Sequence, residues 1–333
     1  MLYFLLEYLF MQNNFWNNLP RPFFIQAPMA DVSDAAFREL IAKYSKPDVM
    51  YTEFVSADGL CSPGRDKLLV DFKYSAGEHP IVAQIFSSKP ENIFVGAKLA
   101  KELGFDGVDI NMGCPEKSIC SQGSGAAMIK NPAVARACIR AAIEGASGLP
   151  VSVKTRLGLT KREELEVWLP ELLAENLACV IIHARTKKEM SKVPADWAWV
   201  KRAVEIRNAL GSKTLIVGNG DVASLEQARA RIAETGCDGV MIGREMFGNP
   251  WLFNRGKTIA EVPLAQRLTV AIEHAKLFEK YFSGVKAFAI MKKHFKAYVN
   301  GFDGAKELRM KLMETETAAQ VEQILQDYIK TLK

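Results

Sequence analysis

Eight short apolar runs, each bounded by turn-forming residues, recur along most of the chain. Stretches with helix-compatible spacing, such as residues 90–105 and 131–147, separate most of them. Strands that alternate with helices pair in parallel and are buried on both faces. The eight runs are residues 23–29, 49–55, 81–86, 107–112, 151–156, 179–183, 215–219 and 239–243.

This repeat predicts a (β/α)8 barrel, an α/β fold that typically takes about 250 residues. A doubly wound sheet is the alternative, but it usually has fewer strands, and no GxGxxG motif follows the first run. We therefore divide the 333 residues into an N-terminal extension (1–20), a barrel (21–255) and a small C-terminal helical domain (256–333).

The chain begins with ten largely apolar residues, MLYFLLEYLF. This segment is far shorter than the roughly 20 residues of a membrane-spanning helix, and it lacks the basic start and cleavage site of a signal peptide. We interpret residues 1–10 as an upstream start-codon extension before Met11 or as a peripheral packing segment, and a membrane-associated helix is the less favoured alternative. Six cysteines without a CxxC pair indicate reduced thiols, so we expect a cytoplasmic protein without a membrane partner.

Polar side chains appear where the apolar runs end. In a parallel barrel the carboxyl ends of all strands meet at one mouth, where the βα loops build the active site. Turns are polar anyway, but eight polar exits in phase are hard to explain by solvation alone. The exits are Met29 with Asp31, Glu53, Gln84, Asn111 with Cys114, Lys154 with Arg156, His183 with Arg185, Asn219-Gly220-Asp221 and Gly243-Arg244.

The last two exits contain glycine, in Asn219-Gly220-Asp221 and Gly243-Arg244. The loops after the last two strands of such barrels frequently bind a phosphate, because glycine lets backbone N–H groups approach its oxygens. Asn-Gly alone also suits an ordinary turn. The pair of glycine exits on consecutive strands predicts a phosphate-bearing cofactor or substrate, which Arg244 would contact.

Lys154 lies inside an otherwise apolar run, where an ammonium group is costly without a partner. One interpretation is a salt bridge inside the barrel with Glu53 or Asp109; the other is a cation that faces an anion on a bound ring. His183 is either a core histidine or a cofactor contact. Only four histidines occur, without an HxH or HExxH motif, so no catalytic metal is predicted.

The segment DINMGCPEK, residues 109–117, places a cysteine directly after the fourth run. Gly113 and Pro115 flank Cys114 and indicate a tight, exposed turn. A structural cysteine would instead be buried as a small apolar side chain. The turn favours a reactive thiol at the barrel mouth, whereas Cys120 is interpreted as incidental.

The chain has 43 basic and 38 acidic residues, a net charge of +5. Residues 251–333 contain 14 of the basic and 9 of the acidic residues, so the whole excess lies in the C-terminal quarter. On a helix, the large apolar side chains of residues 288–302 would share one face. A solvated basic face is one explanation of the charge, but its concentration favours nucleic acid. The lysines on the other side of this helix are Lys286, Lys292, Lys293 and Lys296.

Together these motifs resemble those of the tRNA-dihydrouridine synthases, flavin enzymes that reduce uridine in tRNA to 5,6-dihydrouridine. The resemblance covers about residues 23–313 in order, and its most specific motif is DINMGCP. The other matching segments are APMADVSDAAFR (27–38), AQIF (83–86), GSGAAMIKNP (123–132), VSVKTRLG (151–158), IIHART (181–186), NGD (219–221), TGCDGVMIGREMFGNPWLF (235–253), MKKHFKAYVNG (291–301) and LRMKLM (308–313).

The resemblance implies bound FMN and NADPH as the reductant. FMN would pass a hydride to uracil C6, and Cys114 would donate the proton at C5. A thiol suits this role because its reference pKa of about 8.5 leaves it mostly protonated at neutral pH. The implied FMN contacts are Pro28, Met29, Ala30, Gln84, Lys154 and His183 around the ring, and Asn219, Gly220, Asp221, Gly243 and Arg244 at the phosphate end.

The resemblance also implies that tRNA is the substrate and partner. Asn111 would orient the uracil, while Lys117 and Arg156 would contact the phosphate of the target nucleotide. The base must leave its stack to reach the barrel mouth. No obligate protein partner is indicated. The helical tail would hold the tRNA through Lys292, Lys293, Lys296 and Arg309.

Two other functions are considered. An FMN barrel of the dihydroorotate or dihydropyrimidine dehydrogenase kind would act on a free pyrimidine. It would share the flavin site and a cysteine near the base, but it would not need the basic tail. A tRNA-binding or folding factor without catalysis is the second alternative. The presence of all the expected flavin and proton-donor residues disfavours it.

Overall fold

Residues 14–332 are described by the computed structural model of the chain, and they contain a barrel of parallel β-strands. Every strand pair is parallel, as expected for strands joined by helical crossovers. This confirms the (β/α)8 barrel and excludes the doubly wound sheet. The strands are β1 (Phe23–Gln26), β2 (Met50–Tyr51), β3 (Val55–Ser56), β4 (Ile81–Phe86), β5 (Gly107–Met112), β6 (Val151–Arg156), β7 (Cys179–His183), β8 (Leu215–Asn219) and β9 (Gly239–Ile242).

The sequence predicts one strand over residues 49–55, but in the structure this second strand position of the barrel, here called the second stave, is split into β2 and β3. At the break, the Thr52 hydroxyl accepts a hydrogen bond from Gln84 N (3.0 Å), so a side chain replaces a backbone acceptor. The barrel closes between this stave and β1, because Gln26 N donates to Val49 O (3.1 Å). The break leaves Glu53 between the two short strands, at the carboxyl end of the barrel.

A short 3-10 helix, Phe15–Asn18, packs against the barrel interior. Trp16 is fully buried and contacts a cluster that includes Phe23 and Tyr51. Part of the predicted N-terminal extension therefore contributes to the core. The interpretation of residues 1–10 concerns a segment outside the described residues.

Helices follow the strands and cover the outside of the barrel. Their buried faces pack on the apolar strands in one continuous core. Within residues 14–332, no helix combines the length and apolar character that crossing a membrane requires. The helices up to β9 are α1 (Ala35–Ser45), α2 (Ala57–Leu60), α3 (Arg65–Leu68), α4 (Pro90–Glu102), α5 (Lys117–Cys120), α6 (Pro132–Ala146), α7 (Leu165–Leu173), α8 (Ala198–Ala209) and α9 (Leu225–Thr235).

Within residues 14–332, four further helices follow the barrel, and the first of them packs on α1. A second core forms between them, in which Leu40 of α1 joins Phe278, Phe295 and Leu325. The predicted apolar face is present, but a 3-10 turn (Phe288–Ile290) precedes the helix that carries its centre. The four helices are α10 (Leu264–Phe282), α11 (Met291–Tyr298), α12 (Ala305–Met313) and α13 (Ala318–Lys330).

Two histidines meet in the core beneath the C-terminal helices. His274 of α10 and His294 of α11 are fully buried, and their ring centroids are 4.5 Å apart. Tyr298 Oη is 3.2 Å from Nδ1 of His274, whereas neither ring nitrogen of His294 has a hydrogen-bond partner among residues 14–332. Burial lowers the pKa of His274 to about 3 and holds that of His294 well below its usual value.

Replacing His294 with leucine should make the fold less sensitive to acid. Below about pH 6.5 histidines in the unfolded chain bind protons, whereas these buried rings stay neutral. The free energy of unfolding therefore has its full value above about pH 6.5 and decreases as the pH is lowered further. The loss is up to about 1.4 kcal/mol per pH unit for each histidine. Urea unfolding at several pH values between about 7 and 5 measures the slope.

The control is His79→Gln, because His79 is part-exposed and pairs with Asp106 Oδ2 (2.6 Å) outside this core. We expect the slope to decrease in His294→Leu and not in the control. Equal slopes in the wild type and His294→Leu would show that the buried pair is not a source of acid sensitivity.

Candidate functional site

A cavity of about 250 Å³ opens at the carboxyl end of the barrel. It lies where the exits of the parallel strands converge, as the sequence pattern predicts. Its wall combines an apolar side with several cationic and amide groups. The predicted residues that line it are Pro28, Met29, Asn111, Cys114, Lys154, Arg156, His183, Asn219, Gly220, Asp221, Gly243 and Arg244.

Other predicted residues do not line this cavity. Ala30 is exposed beyond the rim, and Lys117 is exposed on α5 after the Cys114 turn. Gln84 is fully buried below the cavity, because its amide is used inside the barrel. The predicted tail residues lie on α11 and α12 instead; these are Lys292, Lys293, Lys296 and Arg309.

Several lining residues have no assigned role in the sequence-based prediction, among them Phe54, Arg185, Ser191 and Glu245. Arg185 and Glu245 follow the polar exits of β7 and β9, so their position in the sequence was a usable signal. Phe54 enters the wall because the second stave is broken, and Ser191 because the loop after β7 folds back. Neither event has a signature in the local sequence.

The Cys114 turn is held from both sides. Oδ1 of Asn111 accepts hydrogen bonds from the backbone N of Gly113 (3.1 Å) and of Cys114 (2.9 Å). The Cys114 carbonyl accepts from Ala126 N (2.9 Å), and the intervening loop passes so close that a Cβ on Gly125 would be 2.7 Å from that carbonyl oxygen. Gly125 also has φ +60°, which favours glycine.

The thiol of Cys114 is half-buried on the cavity wall. Burial raises its pKa above the usual thiol range, and the nearby Glu116 carboxylate acts in the same direction, against a hydrogen bond from the Glu116 backbone. The sulfur is therefore a protonated thiol at neutral pH. Cys120 contacts the same turn, since its Sγ donates to the Cys114 carbonyl (3.4 Å).

Lys154 is a half-buried cation on the cavity wall. Its Nζ donates to Oδ1 of Asn219 (3.1 Å), and no carboxylate lies within salt-bridge distance of it among residues 14–332. The salt bridge with Glu53 or Asp109 that the sequence left open is thus absent from the described part of the chain. Burial, followed by repulsion from Arg156, lowers the pKa of Lys154 to about 8.

Glu53 has a different partner. Its carboxylate is 3.3 Å from Nζ of Lys286, which also pairs with Asp71 (2.6 Å). The sequence placed Lys286 on a free basic face, and this prediction is wrong. The segment between α10 and α11 passes beside the barrel mouth, where two acidic side chains surround the ammonium group.

Arg156 is bound by carbonyl groups rather than by carboxylates. Its Nε donates to Gly113 O (2.8 Å), and its Nη1 donates to Thr186 O and Met190 O (3.1 Å each). Burial lowers the pKa of the guanidinium to about 10, which leaves it charged. Arg156 therefore joins the Cys114 turn to the loop after β7, and its charge adds to that of Lys154.

A chain of polar contacts connects the exits of β7, β8 and β9. Nη1 of Arg185 donates to Nε2 of His183 (3.1 Å), and Nη2 of the same arginine donates to Asp221. Since a guanidinium only donates, His183 carries its proton on Nδ1. Burial and the surrounding cations keep the pKa of His183 well below its usual value. Asp221 also accepts from Arg244 Nη2 (2.6 Å).

The backbone at Gly220 requires glycine. Its φ is +131°, and a Cβ there would be 2.8 Å from the Cβ of Ala195. Gly243, on the next exit, lies beside Ala27 and Met29. The two glycines leave backbone accessible at one end of the cavity, next to the exposed guanidinium of Arg244. This is a suitable environment for a phosphate.

The C-terminal helices contact the rim of the cavity. Nζ of Lys293 donates to Asp31 O (2.6 Å), in the loop that follows β1. Lys292 and Lys296 form no ion pair within residues 14–332, so their charges are unneutralised there. Arg309 is half-buried and donates to Val299 O (2.8 Å), which connects α12 with the end of α11.

The set of donors fits a phosphorylated ring cofactor such as FMN. Lys154 and Arg156 present positive charge without a carboxylate partner among the described residues. The glycine exits and Arg244 offer phosphate contacts at another part of the same wall. Ala27, Met29 and Met241 supply apolar surface for a ring. Such a site can bind an anionic ring and donate a proton from Cys114 beside it.

Comparison with known sequences identifies relatives over nearly the whole chain. The family model described as dihydrouridine synthase (Dus) matches residues 25–333. A protein named probable tRNA-dihydrouridine synthase 2, from Bacillus subtilis (strain 168), is 40% identical over 320 residues, which cover 96% of this chain and 97% of the relative. A probable tRNA-dihydrouridine synthase of Staphylococcus aureus (strain Mu50 / ATCC 700699) is 39% identical over 320 residues and 96% of each chain.

Solved structures resemble the barrel. Morphinone reductase superposes with a TM-score of 0.52 at 14% identity, over 72% of this chain and 87% of that protein. The old yellow enzyme from Trypanosoma cruzi gives a TM-score of 0.51 at 12% identity, over 70% and 87%. At such identities the likeness shows the fold alone. The family match and the two bacterial relatives show that this chain belongs to the dihydrouridine synthase family.

Proposed function

We propose that the chain is a tRNA-dihydrouridine synthase, which reduces the C5–C6 double bond of a uridine in tRNA with NADPH through bound FMN. The observation that carries this proposal is the shared wall of one cavity, where the protonated thiol of Cys114 lies with the half-buried cation Lys154. The names of the two bacterial relatives support the same activity.

FMN would be held by residues from several strand exits. Pro28 and Met29 would contact the ring, as would Lys154 and His183, and Lys154 would stabilise negative charge on it. The phosphate end would lie at the glycine exits. The proposed phosphate-end contacts are Asn219, Gly220, Asp221, Gly243 and Arg244. When bound, FMN supplies the hydride chemistry, with NADPH as the source of electrons.

Ala30 and Gln84 are also proposed as FMN contacts, but the described geometry gives them less support. Ala30 is exposed beyond the cavity rim, and Gln84 is buried below it. Their proximity to Met29 and Asn111 keeps them near the site. A direct contact by either one would require a local rearrangement.

Cys114 would act as the general acid. Reduction of uracil at C6 leaves negative charge that is neutralised by a proton at C5, and the half-buried thiol carries that proton at neutral pH. The turn keeps the sulfur at the cavity wall through the hydrogen bonds of Gly113 and Cys114 to Asn111. Asn111 has a second amide hydrogen, which would be available to the uracil.

The C-terminal helices, residues 256–333, would bind the tRNA and present the uridine to the mouth. Unneutralised lysines on α11 adjoin the rim through the Lys293 contact to Asp31. Lys117 and Arg156 would contact the phosphate of the target nucleotide; Lys117 is exposed, and Arg156 retains its Nη2 donors. The proposed tRNA contacts on the tail are Lys292, Lys293, Lys296 and Arg309. An enzyme that acts on tRNA would be located in the cytoplasm.

The test is reduction of unmodified tRNA. Purified protein, NADPH and a tRNA transcript should yield dihydrouridine, detected by mass spectrometry of the nucleosides. Free uracil and orotate, supplied in parallel at higher concentration, should remain unreduced. Reduction of a free pyrimidine without any reduction of tRNA would favour the dehydrogenase alternative. Binding of tRNA without product would favour the non-catalytic factor.

A further inference from the structure

A buried carboxylate lies beneath the Cys114 turn and has no part in the chemistry described so far. Asp109 is in β5 and is fully buried. Its Oδ1 accepts a hydrogen bond from Ser152 Oγ (2.6 Å), and its Oδ2 accepts one from Nε2 of Gln84 (2.6 Å). Despite its burial in the barrel, this carboxylate does not pair with Lys154.

The hydrogen bond from Gln84 continues towards the cavity. Oε1 of Gln84 accepts from Nδ2 of Asn111 (3.0 Å), and Oδ1 of Asn111 accepts from the backbone N of Gly113 and Cys114. Two side-chain amides in series thus connect Asp109 with the turn that carries the thiol. No other side chain intervenes in this series.

Both ends of the series impose the same orientation. The two backbone N–H groups can only donate, so Asn111 must turn its oxygen towards them and its nitrogen towards Gln84. Gln84 must then turn its oxygen towards Asn111 and its nitrogen towards Asp109. At the far end an acceptor is required, and the carboxylate oxygen supplies it.

We propose that Asp109 is a positioning residue that, through Gln84 and Asn111, fixes the turn on which the Cys114 thiol is presented. Without an acceptor at position 109, the nitrogen of Gln84 would be buried and unpartnered. Reversal of Gln84 would only exchange this nitrogen for an unpartnered oxygen, and once Asn111 followed it would oppose an NH₂ group to the N–H groups of the turn. The proposal rests on the proposed function only in giving Cys114 a catalytic role.

An alternative role for Asp109 is purely electrostatic, as a distant counter-charge to Lys154. The two roles separate in Asp109→Asn, which keeps an acceptor oxygen for Gln84 and can donate to Ser152 Oγ, but has no charge. Asp109→Leu keeps the branched shape, with larger terminal methyl groups, and removes both acceptors. Orientation by hydrogen bonding predicts that asparagine substitutes for Asp109 and leucine does not.

The experiment follows the thiol directly and does not depend on catalysis. Protein as isolated, with its cofactor, is alkylated with iodoacetamide over a range of pH, and modification of Cys114 is quantified by peptide mass spectrometry. In Asp109→Leu the loosened turn should expose the sulfur, lower its apparent pKa and raise the alkylation rate at neutral pH about threefold or more. Asp109→Asn should retain the wild-type profile.

Two further variants keep the test decisive if Asp109→Leu does not fold. Gln84→Met has a similar volume and interrupts the series, so it should reproduce the altered alkylation profile. Ser152→Ala also removes a hydrogen bond to Asp109, but on the side away from Asn111, and should leave the profile unchanged. An Asp109→Asn profile as altered as that of Gln84→Met would overturn the proposal in favour of the electrostatic role.

Turnover on tRNA supplies the second measurement. Gln84→Met should lower the rate of dihydrouridine formation about tenfold or more, with a smaller change in the KM for tRNA, because the thiol and not the tRNA surface is displaced. An unchanged alkylation profile in Gln84→Met would also overturn the proposal. If wild-type protein reduced no tRNA, the proposed function would fail, while the alkylation profiles would still decide the role of Asp109.

Discussion

Cys114→Ala should lower the rate of dihydrouridine formation by about 10²–10⁴-fold, the usual contribution of a positioned general acid. The reduction of the proposed flavin cofactor by NADPH, monitored as the loss of visible absorbance, should be almost unchanged. The physical reason is that alanine leaves the cavity and its cations intact but removes the only proton that the Gly113–Pro115 turn presents to it. Stopped-flow spectroscopy of the two half-reactions measures both effects.

The pH dependence gives this prediction a second test. Because burial raises the pKa of Cys114, the thiol form persists through neutral pH, and the rate of the tRNA half-reaction should decline only as the thiol ionises in alkaline solution. Cys61→Ala, which removes an exposed thiol elsewhere, is the matched control and should behave as wild type. Full activity of Cys114→Ala on tRNA would show that another group donates the proton.

Lys154→Met should make the protein without cofactor more stable and the complete enzyme much slower. Burial lowers the pKa of Lys154 to about 8, below its value in the unfolded chain. The unfolded state therefore binds this proton more tightly, and the charged lysine destabilises the fold below about pH 8; this cost falls as the pH rises towards the unfolded value. Methionine removes the cost but leaves Asn219 without its donor, so we expect a gain of about 1–2 kcal/mol at pH 7.

The catalytic effect has the opposite sign. Without Lys154, the positive charge that faces the proposed cofactor is reduced, and a loss of about 10²-fold in turnover is expected. Urea unfolding of cofactor-free protein measures the stability, and the NADPH half-reaction measures the loss. Lys188→Met, at an exposed lysine in the neighbouring loop, is the control. A destabilised Lys154→Met protein would indicate that the ammonium has a stabilising partner.

The periodicity of the sequence was sufficient for the fold class. Parallel strands buried on both faces need apolar side chains on both sides, and this requirement is visible in residues 107–112 and 179–183 without any tertiary information. The break in the second stave was not visible. It depends on a hydrogen bond from Gln84 to the hydroxyl of Thr52, two residues that are far apart in sequence.

The candidate site was predictable to the extent that strand exits determine it. Lys154, Asn219 and Gly243 line the cavity because the carboxyl ends of parallel strands must meet. Side-chain direction was not predictable in the same way. Gln84 is an exit residue by its position, yet it is buried below the cavity, where Asp109 and Asn111 use its amide.

Charge pairing separates what the sequence alone determined from what only the tertiary structure decided. Local composition determined that a basic segment follows the barrel and that a lysine occupies an apolar strand. Only the fold decided that Lys286 would lie between Glu53 and Asp71, while Lys154 would meet an amide oxygen. The reason is physical: strand and helix periods follow from neighbours along the chain, whereas ion pairs depend on groups brought together by packing across long sequence separations.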